Sequence, residues 1–455
     1  MPRSPSVTLS PALPRSLVWL LNVAYACALL VASPWIAWQA WRTGKYRDGW
    51  AAKLRGHAPR REGERFCVWL HAVSVGEVNL LGVLIAELRE RHPDWELCVS
   101  TTTKTGHELA TKKYAAEHTV FYCPLDFTWA TDEAMRRVRP DLLLLAELEL
   151  WPNLIAAAKR HGARVAIVNG RLSDGSLRGY RRLRPLVRRV LAMVDRVAAQ
   201  DDATAGRFIE LGAPPERVAV TGSLKYDGAP IDRENPKTVA LRDLTGWTAE
   251  HTVWLVGSTQ APEEAVCLEV FQELAEEHPN LRLILVPRHP ERFDEVADLL
   301  RASGVPYARR SRTNSAFALP PSAFLVDTVG ELSAWWGVAD IGFVGGSFGD
   351  RGGQNMIEPA AYGVATCFGP NTRNFRDIVA TLTAADGARV VRDAAELETF
   401  VTSCLEMPAA AGELGRRGRA VVLSQLGATA RTVDLIGELV GADEAQDRAA
   451  ATRAA

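Results

Sequence analysis

The sequence predicts two consecutive α/β domains, each built on a doubly wound parallel sheet, behind an apolar N-terminal helix. From residue 66 to residue 225, short apolar runs alternate with amphipathic helical segments, and the same alternation returns after residue 253. Strands that alternate with helices are typical of a parallel sheet. A stretch rich in Gly, Pro and charge separates the two halves and indicates a linker. A length of 455 residues fits two to three domains.

The shifts in composition set the domain boundaries. We expect, in order, a flexible N-terminus, a membrane anchor, a first domain, a linker, a second domain and a disordered tail, at 1–16, 17–45, 46–226, 227–248, 249–440 and 441–455. Near the ends of the two domains, the periodicity predicts continuous helices over Tyr180–Val194 and Gly412–Leu439.

The N-terminal apolar segment, Leu17–Trp41, contains no charged residue. About 20 apolar residues suffice to span a bilayer as a helix, so this segment is long enough. A cleaved signal peptide is the alternative, but its apolar region should be shorter and small residues should follow it. Instead, five basic residues lie between Arg42 and Arg55, and the positive-inside rule then places the C-terminal part in the cytoplasm. Because Ser33 and Pro34 can break the helix, spanning and monotopic arrangements both stay open.

The charge and the cysteine content exclude several function classes. The formal net charge is −1, so no global basic field indicates a nucleic-acid partner. The seven cysteines form no CxxC pair and are odd in number, which argues against a disulfide framework or a zinc site. Metalloprotease and Asp-x-Asp metal motifs do not occur in the sequence. We therefore expect neither a metal nor another cofactor.

In the first half, an apolar strand at Phe66–Ala72 runs through a turn at Ser74–Gly76 into a helix that starts at Glu77. This pattern places Glu77 at the C-terminal edge of a parallel sheet, where open α/β folds bind ligands. The helix dipole favours a carboxylate in the first turn, so Glu77 should stay ionised and able to accept a proton. Two interpretations are open: a general base, or a helix-start acid without chemistry.

Further charged groups end other segments of the first half. Glu147 and Glu149 follow a second apolar strand and share one face if the strand continues. Paired carboxylates beside a base suit the handling of a hydroxyl group, and first-turn acids before a helix are the alternative. Lys225 closes the domain with a point charge that can neutralise a leaving phosphate or a sugar acid, unless it is an ordinary solvated Lys.

In the second half, the segment Phe343–Pro359 predicts a strand, a Gly-rich loop and a helix start. Glycines allow close backbone approach to a ligand, and free N–H groups at a helix start suit a phosphate. Asn355 can cap a helix that begins at Met356, and Glu358 can accept hydrogen bonds from ribose hydroxyls. A tight loop that binds nothing is the alternative, and the motif is not that of a P-loop kinase.

Two other turns of the second half have the same strand-to-helix character. Arg288 ends a strand, where it can pair with a phosphate in two-point geometry or remain an ordinary surface residue. Gly330 and Glu331 mark the third such turn. Three turns of this kind in one half describe a nucleotide pocket better than any one alone.

Seven arginines crowd between Arg171 and Arg189 in the first half. Such a run is usually a solvated helix face. In a protein with a membrane anchor, it is also consistent with a patch that faces anionic lipid headgroups or a phosphorylated lipid substrate.

Six motifs together resemble those of the 3-deoxy-D-manno-octulosonic acid (Kdo) transferases of lipid A biosynthesis. The likeness runs from the N-terminal apolar segment to about residue 430, and the motifs occur in the order of that family. They are His71–Glu77, Glu147–Asn153, Gly222–Lys225, Val286–Phe293, Gly330–Glu331 and Arg351–Asn355.

The resemblance implies a GT-B glycosyltransferase, with a first Rossmann-like domain that binds the acceptor and a second that binds CMP-Kdo. It implies inverting transfer of Kdo from CMP-Kdo to a lipid A precursor, lipid IVA, by a protein anchored in the inner membrane with its catalytic domains facing the cytoplasm. Glu77 matches the family's general base, and Glu147 and Lys225 match its transition-state stabilisers. The matched CMP-binding positions are Pro287, Arg288, Val329, Gly330, Glu331, Asn355, Met356, Ile357 and Glu358.

Two positions depart from the family pattern and bear on the donor contacts. Gln354 stands where the family usually has His, and Val329 replaces a common Met. Two other classes of protein stay open: an epimerase or transferase acting on another sugar nucleotide, and a non-catalytic, membrane-anchored binding protein. The anchor and the turn at Glu77 argue against an epimerase, and the charged residues of the motifs argue against a protein without catalysis.

Overall fold

The computed structural model describes residues 13–43, 48–315, 317 and 320–454, with the backbone alone at residue 43 and at residues 442–454. The described chain forms two compact units. Unit 1 takes the described residues up to Asp227 and those from Leu426 onward, and unit 2 takes Gly228–Gln425. The predicted flexible N-terminus at 1–16 lies mostly outside the described residues.

Unit 1 begins with the apolar helix α1 (Arg15–Thr43) and the short helix α2 (Trp50–Arg55), followed by a seven-stranded parallel sheet. Its strands lie in the order β3-β2-β1-β4-β5-β6-β7. They are β1 (Cys67–Ala72), β2 (Glu96–Thr101), β3 (Thr119–Tyr122), β4 (Leu142–Ala146), β5 (Arg164–Gly170), β6 (Arg196–Ala199) and β7 (Val218–Val220). Strand addition reverses direction between β1 and β4, which is the switch point where open α/β sheets leave a crevice.

Seven helices join these strands: α3 (Val75–Arg91), α4 (Lys104–Tyr114), α5 (Thr128–Val138), α6 (Pro152–Arg160), α7 (Asp174–Arg182), α8 (Arg184–Leu191) and α9 (Asp202–Leu211). The side chains of Thr103, Ser173 and Asp201 cap α4, α7 and α9 by accepting hydrogen bonds from first-turn N–H groups. Each such cap stabilises a helix start by about 1 kcal/mol.

Unit 2 repeats this plan with strand order β10-β11-β9-β8-β12-β13-β14, and its strand addition reverses between β8 and β12. Its strands are β8 (Thr252–Thr259), β9 (Leu281–Pro287), β10 (Tyr307–Arg309), β11 (Ala323–Leu325), β12 (Ile341–Val344), β13 (Ala365–Phe368) and β14 (Arg389–Val390). Its helices are α10 (Pro236–Thr245), α11 (Glu263–Glu277), α12 (Phe293–Ser303), α13 (Leu332–Trp335), α14 (Ile357–Ala361), α15 (Arg376–Ala384), α16 (Ala394–Glu406) and α17 (Pro408–Gln425). Helix α18 (Ala428–Ala454) then belongs to unit 1.

The central strands of both sheets are buried on both faces. Every residue of β1, β4 and β12 is buried, which explains why these strands appear in the sequence as continuous apolar runs. Trp69 on β1 and Trp254 on β8 are fully buried. Burial of one large apolar side chain stabilises the fold by about 1.5–3 kcal/mol, so these strands form a rigid base for the loops at their C-terminal ends.

Several elements differ from the sequence-based prediction. The helix predicted over Tyr180–Val194 is two helices that meet at Leu183, because Pro185 in the first turn of α8 prevents a continuous helix. The helix predicted over Gly412–Leu439 is also broken, at Gly427, whose φ of +85° is left-handed. The predicted linker 227–248 contains α10, and the edge strand β10 was not predicted.

The C-terminal segment also differs from the predicted domain boundary. The carboxylate of Asp227 accepts hydrogen bonds from the N–H groups of Gly427 and Thr429, at 2.7 and 2.5 Å. These bonds fix the start of α18 against unit 1, so residues 426–440 do not continue the second domain. Helix α18 runs on to Ala454, through the residues predicted to be a disordered tail.

The first half of α1 packs against the rest of unit 1 through polar contacts. Asn22, which is buried, donates to Thr128 Oγ1 at 2.9 Å, and the Tyr25 hydroxyl donates to the carboxylate of Asp126 at 3.0 Å. Farther along the helix, Trp35 and Trp41 are exposed. The segment Arg15–Arg42 is long and apolar enough to cross a membrane, with a mean hydropathy of 1.9, and an apolar segment at an N-terminus is weak evidence of an anchor.

Candidate active site

The switch point of unit 1 brings together the carboxylates that the sequence analysis selected. Glu77 lies in the first turn of α3, directly after β1. Glu147 and Glu149 follow β4, the strand that pairs with β1 on the other side of the switch point. The crevice of a doubly wound sheet is therefore lined here by carboxylates from two neighbouring strands.

The carboxylate of Glu77 is held by the turn that precedes it. Its Oε2 accepts a hydrogen bond from the Val73 N–H at 2.8 Å, and its Oε1 accepts one from the Ser74 hydroxyl at 2.8 Å. This arrangement resembles a capping box and fixes the side chain in one orientation. Burial raises the pKa of Glu77, the two hydrogen bonds oppose the rise, and the charge of Glu147 adds to it. Glu77 is thus a helix-start acid whose carboxylate is held in one orientation.

Glu147 and Lys225 form an ion pair beside this carboxylate. Lys225 Nζ lies 3.5 Å from Glu147 Oε1, and both side chains remain partly exposed. Glu147 has a φ of 54°, a conformation that is uncommon outside glycine and often found at functional sites. The buried side chain of Asn169 accepts a hydrogen bond from the Leu224 N–H at 3.0 Å and so fixes the segment that carries Lys225. The sequence analysis missed Asn169.

Glu149 is the third carboxylate at the switch point of unit 1. Its Oε2 accepts a hydrogen bond from the Trp151 indole N–H at 2.8 Å. Burial raises the pKa of Glu149 to about 7, and the charges of Glu77 and Glu147 contribute to the rise. Mutually repelling carboxylates in one crevice are a common arrangement for proton transfer, because they place pKa values near neutral pH.

In unit 2, several predicted donor-binding residues converge on Glu358. The carboxylate of Glu358 accepts a hydrogen bond from the Asn355 side-chain amide at 3.0 Å. Burial raises the pKa of Glu358, while hydrogen bonds from Asn355 and Ser333 and the charge of Arg288 lower it. Arg288 is exposed at the end of β9, and its N–H donates to the carbonyl of Thr259 at 3.0 Å. Arg288, Asn355 and Glu358 thus form one polar cluster.

The other predicted donor-binding positions differ in what they expose. Met356 and Ile357 are buried, so only their backbone can face a ligand, and Pro287 is buried as the last residue of β9. Val329 is 77% exposed, and Gly330 beside it has a φ of +93°. The predicted donor-binding positions therefore include accessible loop residues, such as Val329, and buried residues that position the loops, such as Met356 and Ile357.

Glu331 is joined to an arginine that the sequence analysis missed. Arg310 donates to both carboxylate oxygens of Glu331, at 3.0 and 2.9 Å, and the Thr328 hydroxyl donates to one of them at 2.6 Å. Such a two-point pair fixes the carboxylate in the plane of the guanidinium.

The Gly-rich loop after β12 is occupied by a carboxylate of the protein itself. The N–H groups of Gly346, Ser347 and Phe348 donate to the side chain of Glu263, which the sequence analysis did not single out. These three donors, at the start of the loop, are therefore satisfied internally. The helix expected from Met356 is the short α14, which begins at Ile357.

No group of three or more His, Cys, Asp or Glu side chains that could hold a metal ion occurs among the residues that the structure describes. Of the charged groups, Arg288, Glu331 and Glu358 in unit 2 suit polar recognition of a nucleotide. The carboxylates and Lys225 in unit 1 suit proton abstraction and charge stabilisation.

Comparisons with known proteins identify relatives of this chain. Residues 47–228 match a family described as 3-deoxy-D-manno-octulosonic-acid transferase (kdotransferase). A 3-deoxy-D-manno-octulosonic acid transferase of Haemophilus influenzae is 34% identical over 370 residues, which cover 81% of this chain and 86% of that protein. The enzyme of the same name from Bordetella pertussis is 34% identical over 431 residues, which cover 92% of this chain and 99% of that protein.

A solved structure adds support for the fold. The crystal structure of a glycosyltransferase from Rickettsia africae superposes with a TM-score of 0.54 at 11% identity, covering 83% of this chain and 99% of that one. At that identity the likeness bears on the fold alone, and it agrees with two Rossmann-like units of the GT-B type. Identity of about one third along most of both sequences settles the family: this chain belongs to the 3-deoxy-D-manno-octulosonic acid (Kdo) transferases.

Proposed function

We propose that this protein transfers Kdo from CMP-Kdo to lipid IVA, a lipid A precursor, with inversion at the anomeric carbon and with Glu77 as the general base. The observation that carries the proposal is the orientation of the Glu77 carboxylate, which Val73 and Ser74 hold at the switch point of unit 1. Family membership supports the donor and acceptor classes.

In the proposed reaction, Glu77 takes the proton of an acceptor hydroxyl as its oxygen bonds to the anomeric carbon of Kdo. The bond from that carbon to the CMP phosphate breaks, and its electron pair leaves with CMP. Attack from the face opposite CMP inverts the configuration. An alcohol is a weak nucleophile at neutral pH, and a positioned general base contributes typically about 10²–10⁴-fold to the rate.

Glu147 and Lys225 act as transition-state stabilisers in this proposal. The Lys225 ammonium can offset the negative charge that develops on the departing phosphate or the charge of the Kdo carboxylate. Its 3.5 Å contact with Glu147 keeps the ammonium at the carboxylate cluster. Because CMP leaves with a single phosphate group, the proposed reaction includes no divalent metal.

Unit 2 binds CMP-Kdo in this proposal. Arg288 pairs with the phosphate, because a guanidinium matches phosphate oxygens in two-point geometry. Glu358 accepts hydrogen bonds from the ribose hydroxyls, since it is oriented by Asn355. The turn at Val329, Gly330 and Glu331 and the backbone of Met356 and Ile357 complete the site, and Pro287 sets the direction of Arg288.

The test is transfer from CMP-Kdo to tetraacylated lipid A precursor by wild type and by the Glu77→Gln variant, with product mass measured. We expect Glu77→Gln to lose at least about 10²-fold in kcat while CMP-Kdo still binds. Glu90→Gln, an exposed acid on the same helix, is the matched control. Wild-type turnover by Glu77→Gln would reject Glu77 as the base, and absence of a Kdo adduct with wild type would reject the proposed reaction.

We further propose that α1 anchors the protein in the inner membrane, with both units facing the cytoplasm. The hydrogen bonds of Asn22 to Thr128 and of Tyr25 to Asp126 favour an arrangement in which the later part of α1, which carries the exposed Trp35 and Trp41, enters the bilayer. Removal of residues 1–45 should move the protein to the detergent-free soluble fraction. Identical fractionation of the truncated and full-length proteins would exclude α1 as the anchor.

The arginines of α7 and α8 are proposed to contact the phosphorylated acceptor. Arg178, Arg182 and Arg189 are exposed, and Arg181, also exposed, is bonded to Glu210. Replacing Arg178, Arg181 and Arg182 by Gln should raise KM for the lipid precursor and leave KM for CMP-Kdo unchanged. Arg160→Gln, an exposed arginine of unit 1 paired with Asp132, is the control. An unchanged acceptor KM would contradict this role.

A further inference from the structure

Two adjacent carboxylates, Glu263 and Glu264, are buried at the switch point of unit 2. They form the first turn of α11, directly after β8, and each is only 1% exposed. Burial of two carboxylates is costly unless each is hydrogen-bonded, so their partners reveal their role. One binds the loop after β12 and the other binds the segment after β9.

Glu263 fills the concave backbone of the Gly-rich loop. Its Oε2 accepts from the N–H of Gln260 at 3.0 Å and of Gly346 at 2.7 Å. Its Oε1 accepts from the N–H of Ser347 at 2.9 Å and of Phe348 at 3.0 Å. Successive N–H groups of this kind form a concavity that binds anions, and here the anion is a side chain of the same unit. An ionised carboxylate, which only accepts hydrogen bonds, matches four donors.

The close fit depends on Gly345. A side-chain carbon placed on Gly345 would lie 2.7 Å from the Thr259 backbone and 2.8 Å from the Glu263 carboxylate. The loop can approach β8 and α11 this closely only because residue 345 has no side chain. The Ser347 hydroxyl continues the linkage by donating to the Val344 carbonyl and accepting from the Gly369 N–H.

Glu264 fixes the segment that carries Arg288. Its Oε1 accepts a hydrogen bond from Arg292 at 2.5 Å, and Arg292 also pairs with the exposed Glu295. The backbone N–H of Arg288 also donates to the carbonyl of Thr259, the last residue of β8. The start of α11 therefore holds two of the loops to which the proposed function assigns donor binding.

We propose that Glu263 is a positioning residue for donor binding: it occupies the N–H groups of Gly346–Phe348 and holds the Gly-rich loop in its binding shape before the nucleotide arrives. The proposal rests on the proposed function, which assigns CMP-Kdo to unit 2. It follows that the donor phosphate is bound by side chains such as Arg288 and not by these three N–H groups. Glu264 plays the corresponding role for the segment 288–292.

Hydrogen exchange on the wild-type protein tests this directly. Amides 346–348 should be protected already in the free protein, and addition of CMP should change their exchange little. Protection should instead increase in peptides that contain Arg288 or 355–358. If CMP itself produced the protection at 346–348, the proposal would be overturned, because the nucleotide would then supply the anion.

The Glu263→Gln variant tests the consequence for catalysis, with Glu269→Gln, an exposed acid of α11, as the control. We expect the Kd for CMP and KM for CMP-Kdo to rise about 10-fold, with kcat changed less than about 3-fold and faster exchange at 345–353. Should Glu263→Gln not fold, Glu263→Asp, which keeps the charge on a shorter side chain, decides with the same readouts.

The outcomes separate this inference from the proposed function. Suppose that wild type binds and uses CMP-Kdo, and that Glu263→Gln folds with unchanged Kd, KM and loop exchange. This result overturns the inference about Glu263 and leaves the proposed function intact. Wild type that neither binds nor uses CMP-Kdo overturns the proposed function, while the exchange of free amides 346–348 still reports whether Glu263 holds the loop.

Discussion

The two units share one architecture, a seven-stranded parallel sheet whose strand addition reverses once, but they use their switch points differently. In unit 1, the carboxylates after β1 and β4 lie in one crevice, and burial and mutual repulsion raise the pKa values of Glu77 and Glu149. In unit 2, the carboxylate after β8 is Glu263, and the loop after β12 surrounds it with N–H groups. The same position in the fold thus holds acids with raised pKa values in unit 1 and an acid bound by several backbone N–H groups in unit 2.

Strand order therefore determines where a crevice lies, and the hydrogen-bond partners of its carboxylates determine whether they serve catalysis or structure. A carboxylate with several backbone donors is stabilised as an anion and contributes to structure. A carboxylate that is partly desolvated beside other carboxylates remains able to take a proton. We therefore expect substitutions of the acids after β1 and β4 in unit 1 to lower kcat. Substitutions of the acids after β8 in unit 2 should lower stability and donor affinity.

Among the substitutions that test this difference between the units, we expect the largest loss of kcat at Lys225. Lys225→Met keeps the length of the side chain and removes the ammonium that lies 3.5 Å from Glu147. Loss of one preorganised electrostatic stabiliser costs about 10²-fold or more in kcat. Steady-state kinetics should show that loss with a nearly unchanged melting temperature, because the side chain is partly exposed. Lys113→Met, on α4, is the control, and equal kcat for Lys225→Met and wild type would refute the role.

A smaller effect is expected from the two acids that share Arg292. Glu264→Gln removes a charge-assisted hydrogen bond from a buried site, which should lower the free energy of unfolding by about 2–3 kcal/mol. Glu295→Gln removes the exposed partner of the same arginine and should change stability less. Thermal melting of the two variants gives the ranking, and kcat should stay near wild type in both. A lower melting temperature for Glu295→Gln than for Glu264→Gln would contradict the structural role of Glu264 in unit 2.

The sequence alone predicted much of this arrangement. The strand predicted at Phe66–Ala72 is β1 (Cys67–Ala72), because a strand buried on both faces is a continuous apolar run in the sequence. Glu77 and Glu147 were selected because each follows such a run, and Lys225 because it closes the first domain. The structure places Glu147 beside Lys225. Parallel strands necessarily end at the same edge, so their following residues become neighbours.

The remaining features depend on contacts that no local pattern encodes. Glu263 and Glu264 resemble ordinary first-turn acids, and only tertiary structure brings Gly346 and Arg292 to them. Asn169 and Arg310 act on residues 55 and 21 positions away, respectively. The break at Leu183 was readable from Pro185, a residue that ends helices, but the helical period of the arginine-rich segment obscured it.

The smallest expected effect concerns pH and tests which carboxylate of unit 1 acts as the base. A base works when ionised, so kcat/KM falls as pH decreases through its pKa, and burial places that of Glu77 above the ordinary glutamate value of about 4.3. Glu147→Gln removes a negative charge that raises the pKa of Glu77, so the acid limb of the profile should move to lower pH. Glu90→Gln should leave the limb in place. The pKa of Glu149 is about 7, and a limb near pH 7 that disappears in Glu149→Gln would assign the base to Glu149 and not to Glu77.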